Sequence, residues 1–114
     1  MTASPLRVAC FVSSHGFGHA TRMSAIINQI CRKDNRAEIM IFSQVPSWFW
    51  SANLPRNCNI QVFNEVTDVG LVQKGPFHHS LEDSFARVEE FLSFSDSHTK
   101  RCTALLRSSD PDLV

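Results

Sequence analysis

Two short, uninterrupted apolar runs limit what this chain can become. Val8-Ala9-Cys10-Phe11-Val12 and Ile39-Met40-Ile41-Phe42 show no polar alternation. Each therefore reads as a strand covered on both faces, as in a parallel sheet. Between them the period changes: Met23, Ile26, Ile27, Ile30 and Cys31 recur at i, i+3, i+4, i+7 and i+8. That spacing is one face of an amphipathic helix running from Ala20. Arg32, Lys33 and Arg36 lie near its end, where positive charge suits the helix dipole. Strand, helix and strand in this order form a crossover unit, right-handed by the usual chirality.

The rest of the chain continues the alternation. Ser47 is placed to cap a short helix through Trp48, Phe49, Trp50 and Ala52, stopped before Pro55. Ile60–Phe63 reads as a third strand, and Thr67–Phe77, with Gly70, Gly75 and Pro76, as a long loop. Ser80 caps a further helix, with Asp83 at its third position in the manner of a capping box. Leu81, Phe85, Val88 and Leu92 form its apolar stripe, and the helical pattern persists to Leu106 with a break expected over Ser93–Ser97. Leu113-Val114 opens a fourth strand. The expected fold class is α/β, a Rossmann-like parallel sheet with flanking helices. An autonomous domain rarely stops on the apolar opening of a strand, which must still pair and be covered. Residues 1–114 are therefore expected to be a partial domain, the front of a longer protein, with sheet edges and apolar helix faces uncovered.

Composition narrows the function classes. In 114 residues, 43% are apolar and 19% charged, an ordinary globular balance. Eleven basic residues cancel eleven acidic ones, which argues against nucleic acid or an anionic membrane as the main partner. No apolar run approaches the ~20 residues of a membrane span. Met1–Leu6 is not basic enough for a signal peptide, and Arg7 interrupts the apolar stretch that follows. Cys10, Cys31, Cys58 and Cys102 are widely spaced, with no CxxC pair and no histidine at zinc-ligand spacing. Four free thiols in a reducing cytoplasm are the expectation.

The chemistry concentrates in the turn after the first strand, Ser13-Ser14-His15-Gly16-Phe17-Gly18-His19-Ala20-Thr21-Arg22. Such turns hold ligands at the carboxyl end of α/β sheets, where glycines admit a close backbone approach and the helix start favours negative charge. A dinucleotide fingerprint needs a third glycine where Thr21 stands, and an acidic residue after the second strand, where Ser43 and Gln44 stand. A P-loop needs a closing Gly-Lys-Ser/Thr, which is missing. A plain tight turn with surface histidines remains open. His15 and His19, four apart across the glycines, tip the balance towards a site, because imidazole is the natural base for deprotonating a sugar hydroxyl near neutral pH. Arg22 is placed to steady a phosphate or carboxylate, or to be simply solvated.

The octapeptide His15–Arg22 after a buried strand resembles the first loop of GT-B-type glycosyltransferases. More narrowly, it resembles the glycosyltransferase-like N-terminal region of L-arabinokinases and related bacterial proteins. Asp68-Val69-Gly70-Leu71-Val72-Gln73, the acidic helix start and Phe91, and the terminal Asp110-Pro111-Asp112-Leu113-Val114 are similar to segments of the same family. The resemblance implies two Rossmann-like domains facing a cleft, the N-terminal one holding the acceptor and the C-terminal one the nucleotide-sugar donor. It implies no cofactor or bound metal, a small-molecule donor and acceptor as partners, and a covalently linked C-terminal domain. The histidine closing the turn, a catalytic base in some members, corresponds to His19. His15, Gly16, Phe17, Gly18, Thr21 and Arg22 would bind substrate. Ser14 departs from the pattern, since many relatives have glycine there. The implied activity is sugar transfer to an acceptor hydroxyl. The alternatives are the sugar-binding or regulatory front of a sugar kinase, and a non-catalytic ligand-binding module.

Other residues carry less. Asp68 and Gln73 would hydrogen-bond acceptor hydroxyls, or Asp68 would serve ordinary turn chemistry around Gly70. His78 and His79 read as surface histidines or as part of a loop over the cleft. One of Trp48 and Trp50 should pack on the sheet, leaving the other to stack on a sugar or cover an interdomain surface. Glu82, Asp83, Glu89 and Glu90 match no metal-ligand pattern and read as a solvated helix face.

Overall fold

Burial on both faces makes the apolar runs pair side by side. A computed structural model describes residues 4–67, 72–75, 78–93 and 95–114. β1 (Arg7–Phe11), β2 (Glu38–Phe42) and β3 (Asn59–Phe63) form a parallel sheet in the order β1-β2-β3. Val8, Ile39 and Ile60 share one register level, and Phe11, Phe42 and Phe63 another. The crossovers are α1 (Gly18–Lys33) and α2 (Ser47–Asn53). They are followed by the antiparallel pair β4 (Val72–Gly75) and β5 (His78–Ser80), then α3 (Leu81–Leu92) and α4 (Asp96–Ser109).

The strand period of two divides the core. Val8, Cys10, Ile39 and Ile41 pack on one face against Ala20, Ile27 and Cys31 of α1 and Phe49 and Trp50 of α2. Ala9, Met40 and Phe42 point to the other face, where Leu105 and Leu106 of α4 lie against them. Helices therefore cover both sides, which is why β1 and β2 tolerate no polar alternation. At the carboxyl ends the rings of Phe11, Phe42 and Phe63 stack with centroid spacings of 4.8 and 5.0 Å. Such cross-strand aromatic pairs are worth about 0.2–1 kcal/mol each. At the opposite end the Arg7–Glu38 ion pair spans the same two strands at 3.0 Å.

The fourth strand begins as expected. Leu113 forms a parallel bridge with Val8 on the free edge of β1, and Ala9 N–H donates to the Leu113 carbonyl at 2.8 Å. Asp112 secures the approach, since its carboxylate accepts from Arg7 N–H at 2.9 Å and its own N–H donates to the Arg7 carbonyl. The spatial order β3-β2-β1 followed by Leu113 is that of the first half of a doubly wound sheet.

Several expectations need correction. Ser47 is the first residue of α2, and Pro46 occupies the cap position without a side-chain bond. Within Thr67–Phe77, the stretch expected to be a long loop, Val72–Gly75 forms β4, which pairs with β5 just beyond it. Ser80 does cap α3: its hydroxyl accepts from Asp83 N–H at 3.4 Å and donates to the Asp83 carboxylate at 2.8 Å. The helical region breaks at Ser93, within the expected window, and resumes at Asp96. Leu81, Phe85, Val88 and Leu92 are exposed, so the apolar face of α3 is uncovered.

The largest departure concerns the cysteines. Cys31, near the end of α1, is disulfide-bonded to Cys58, just ahead of β3, with Cα atoms 5.9 Å apart. Sequence spacing carried no sign of it, because the two meet only once α1 packs back on the sheet. The cysteine argument for a reducing compartment therefore lapses. Among the described residues no helix is long and apolar enough to cross a membrane. Closing a loop of 27 residues removes denatured-state entropy. Reduction, or the Cys31→Ala/Cys58→Ala double substitution, is expected to lower unfolding free energy by about 2–4 kcal/mol in urea titrations.

Candidate functional site

The turn leaving β1 is built to present the start of α1. Gly16 has φ +82°, in the left-handed region, so a side chain there would be strained. Phe17 occupies the cap position with no side-chain cap bond, and the first turn of α1 carries no acidic residue. The Phe17 carbonyl closes the turn, accepting from Thr21 N–H at 2.8 Å and Thr21 Oγ1 at 2.7 Å. Gly18 needs no unusual φ, and a Cβ there would meet nothing within 4 Å. Packing and backbone strain therefore do not demand a glycine at 18. A close approach by a ligand would.

A cavity of about 350 Å³ opens at the carboxyl end of β1. His19, Arg22, Ser13 and Thr67 supply its polar lining, over a floor that includes Phe11, Met23 and Ile26. His19 and Arg22 stand three residues apart, on one helix face. Strand ends hold the rim in place. The Val12 carbonyl accepts from Ser43 Oγ at 2.8 Å and from Thr67 Oγ1 at 3.1 Å, and Ser43 Oγ in turn accepts from Val45 N–H at 3.1 Å. Ser43 is fully buried. Its hydroxyl does structural work where a dinucleotide site would place a ribose-binding carboxylate.

The expected residues separate into groups. His19 and Arg22 share the cavity; His15, Gly16, Phe17, Gly18 and Thr21 do not line it. His15 N–H donates to Ser13 Oγ at 3.4 Å, which holds the turn together from the other side of the glycine. Phe17 leans away from the cavity, its ring stacked on Phe49 at 5.1 Å and tilted against Trp48 at 5.7 Å. Trp50 and Phe49 are buried, whereas Trp48 is 62% exposed and Phe17 47% exposed. One tryptophan packs on the sheet and the other joins Phe17 in an exposed aromatic shelf. Asp68 lies outside the described residues. Gln73 falls in β4, where its backbone is paired with His79. Sequence reasoning missed Ser13, just past β1, and also Ser43 and Thr67, whose role depends on a strand end remote in sequence.

A larger cavity of about 470 Å³ lies beside α2 and β3, around Leu54, Arg56 and Val62, and shares no lining residue with the glycine turn. Among the described residues no three His, Cys, Asp or Glu side chains gather as a metal site. No protein-family model, curated protein or solved structure matches the chain.

The two glycines should behave differently. Gly16→Ala is expected to destabilise the fold by about 1–2 kcal/mol through its left-handed backbone. Gly18→Ala should leave stability within about 0.5 kcal/mol. Thermal unfolding of the two variants checks the contrast, and equal losses would remove the case for a ligand approach at Gly18.

Proposed function

We propose that the chain is the acceptor-side, Rossmann-like part of a GT-B-type glycosyltransferase-like protein. The observation that supports this most is the shared cavity of His19 and Arg22 at the carboxyl end of β1. It lies where β1 is flanked by β2 on one edge and by Leu113 on the other. In open α/β sheets, ligands bind outside the carboxyl ends of the strands, where the strand order reverses. The resemblance of His15–Arg22 to the family's first loop supplies the reaction class.

In this reading an acceptor hydroxyl lies against His19. The imidazole takes its proton as the oxygen forms a bond to the donor's anomeric carbon and the bond to the leaving phosphate oxygen breaks. Arg22 faces the negative charge that accumulates on the leaving group, assisted by the uncapped amides of α1. Phe17 and Trp48 offer ring faces to the apolar side of a sugar. The donor's nucleotide is held by a linked second domain.

The test uses the intact protein with a panel of nucleotide-sugar donors and sugar acceptors. His19→Ala is expected to lower kcat by about 100-fold or more while acceptor affinity changes little. It should also abolish the rise of kcat with pH that a general base confers. Loss of acceptor binding at unchanged kcat would remove His19 from the base role. Binding without turnover in the unsubstituted protein would favour a ligand-binding module.

A further inference from the structure

The cavity of about 470 Å³ beside α2 and β3 has no part in the proposed sugar transfer, yet its wall holds an unmet polar group. Trp50 forms part of that wall and is 2% exposed. Its indole Nε1 has no hydrogen-bond partner among the described residues. An indole nitrogen can only donate, and a buried donor is costly to leave unpaired. Most such groups in folded proteins find a partner. The ring belongs to the apolar core cluster, with Phe49 edge-on at 5.4 Å. It borders none of the cavities at the glycine turn, between α4 and the sheet, or between α3 and α4. The cavity beside α2 and β3 is therefore the route by which an acceptor would reach it.

The rest of the lining says what that acceptor should be. Leu54, Ile60 and Val62 supply branched aliphatic surface, and Cys58, tied to Cys31, fixes the wall where β3 begins. Arg56 is exposed and lines the same opening, with no ion-pair partner among the described residues. No described aspartate or glutamate lines it. A nitrogen that only donates, an unpaired guanidinium and the lack of acid together select a negatively charged acceptor. A planar carboxylate matches the guanidinium fork. The aliphatic wall selects an apolar body behind it, and the volume falls within the range of about 300–1,000 Å³ usual for small-molecule sites.

We propose that this cavity is a binding site for small apolar monocarboxylates. One carboxylate oxygen pairs with the Arg56 guanidinium and the other accepts from Trp50 Nε1. The hydrocarbon body packs on Leu54, Ile60 and Val62. Nε1 is shut off from water, so the entering oxygen displaces Leu54 and Pro55, half-buried where α2 runs out towards β3. No bond is made or broken, and the site is independent of the chemistry at His19.

The test titrates the full chain with 4-phenylbutyrate and follows the indole N–H signals of its two tryptophans by nitrogen-15 NMR. Trp48→Phe assigns them. The Trp50 signal is expected to move downfield and saturate with a Kd of about 1 mM, the range open to a ligand of this size. The Trp48 signal should stay in place. 4-Phenylbutyramide, with the same body and no charge, should bind at least about fivefold more weakly, and 4-phenylbutylamine should not saturate. Arg56→Gln, an exposed substitution that leaves the core intact, should weaken 4-phenylbutyrate about tenfold. Val62→Glu, on the half-open wall, should abolish binding by placing like charge beside the carboxylate. Circular dichroism checks that both variants are folded. A Trp50 signal that does not move, equal affinity for acid and amide, or unchanged affinity in Arg56→Gln would overturn the proposal.

Discussion

β1 is hydrogen-bonded on both edges and covered on both faces, and the candidate site depends on that enclosure. Its neighbours are β2 on one side and Leu113 on the other. Val8 and Cys10 face α1 and α2, while Ala9 faces α4. A strand confined in this way cannot slip register without turning its apolar set towards the wrong layer. Its carboxyl end is therefore a fixed point in space. Whatever leaves that end, here a turn with one left-handed glycine, starts from a defined position and direction. The placement of His19 and Arg22 follows from the burial of residues that have no chemistry of their own.

Polar bonds complete what burial begins. The Val12 carbonyl lies just past the last paired residue of β1, where a strand's hydrogen bonds run out. Ser43 and Thr67 both donate to it, from positions 31 and 55 residues away. The ends of all three strands are thereby drawn to one acceptor. The Phe11, Phe42 and Phe63 ring column sits at the same level and resists shear between the strands. Phe49, fixed in the core, extends this order outwards by carrying Phe17 on its face. The exposed shelf is thus rigidly backed, so a ring bound to it would lose little to side-chain ordering.

Elements that depend on local pattern were legible in the sequence. The continuous apolar runs, the helical period over Met23–Cys31, the Ser80–Asp83 cap and the opening of the fourth strand all reappear in the structure. So does the α/β class. What escaped depends on distance. Nothing at Cys31 or Cys58 marks them as partners, since a helix end and a strand start meet only through the crossover. β4 escaped because a four-residue strand that ends on glycine looks like loop until it pairs. Within the site, His19 and Arg22 were legible because histidine and arginine announce their chemistry. Ser43 and Thr67 were not, because a hydroxyl's function is set by what it faces.

The helix face over Leu81, Phe85, Val88 and Leu92 shows a different limit of pattern. Periodicity identifies an apolar stripe, and α3 has one, yet Phe85 is 70% exposed. α4, with a weaker apolar pattern, is the helix that contributes Leu105 and Leu106 to the sheet. Amphipathicity states what a face would gain by burial, but not which surface is available to bury it. Met40, Phe42 and Phe63 meet α4 because its last turns lead directly into Asp110 and Leu113, which must return to β1. The return of the chain to β1 selects the packing helix. Connectivity overrides hydrophobic strength here, and the same return carries Leu113 to the edge beside which the glycine turn opens.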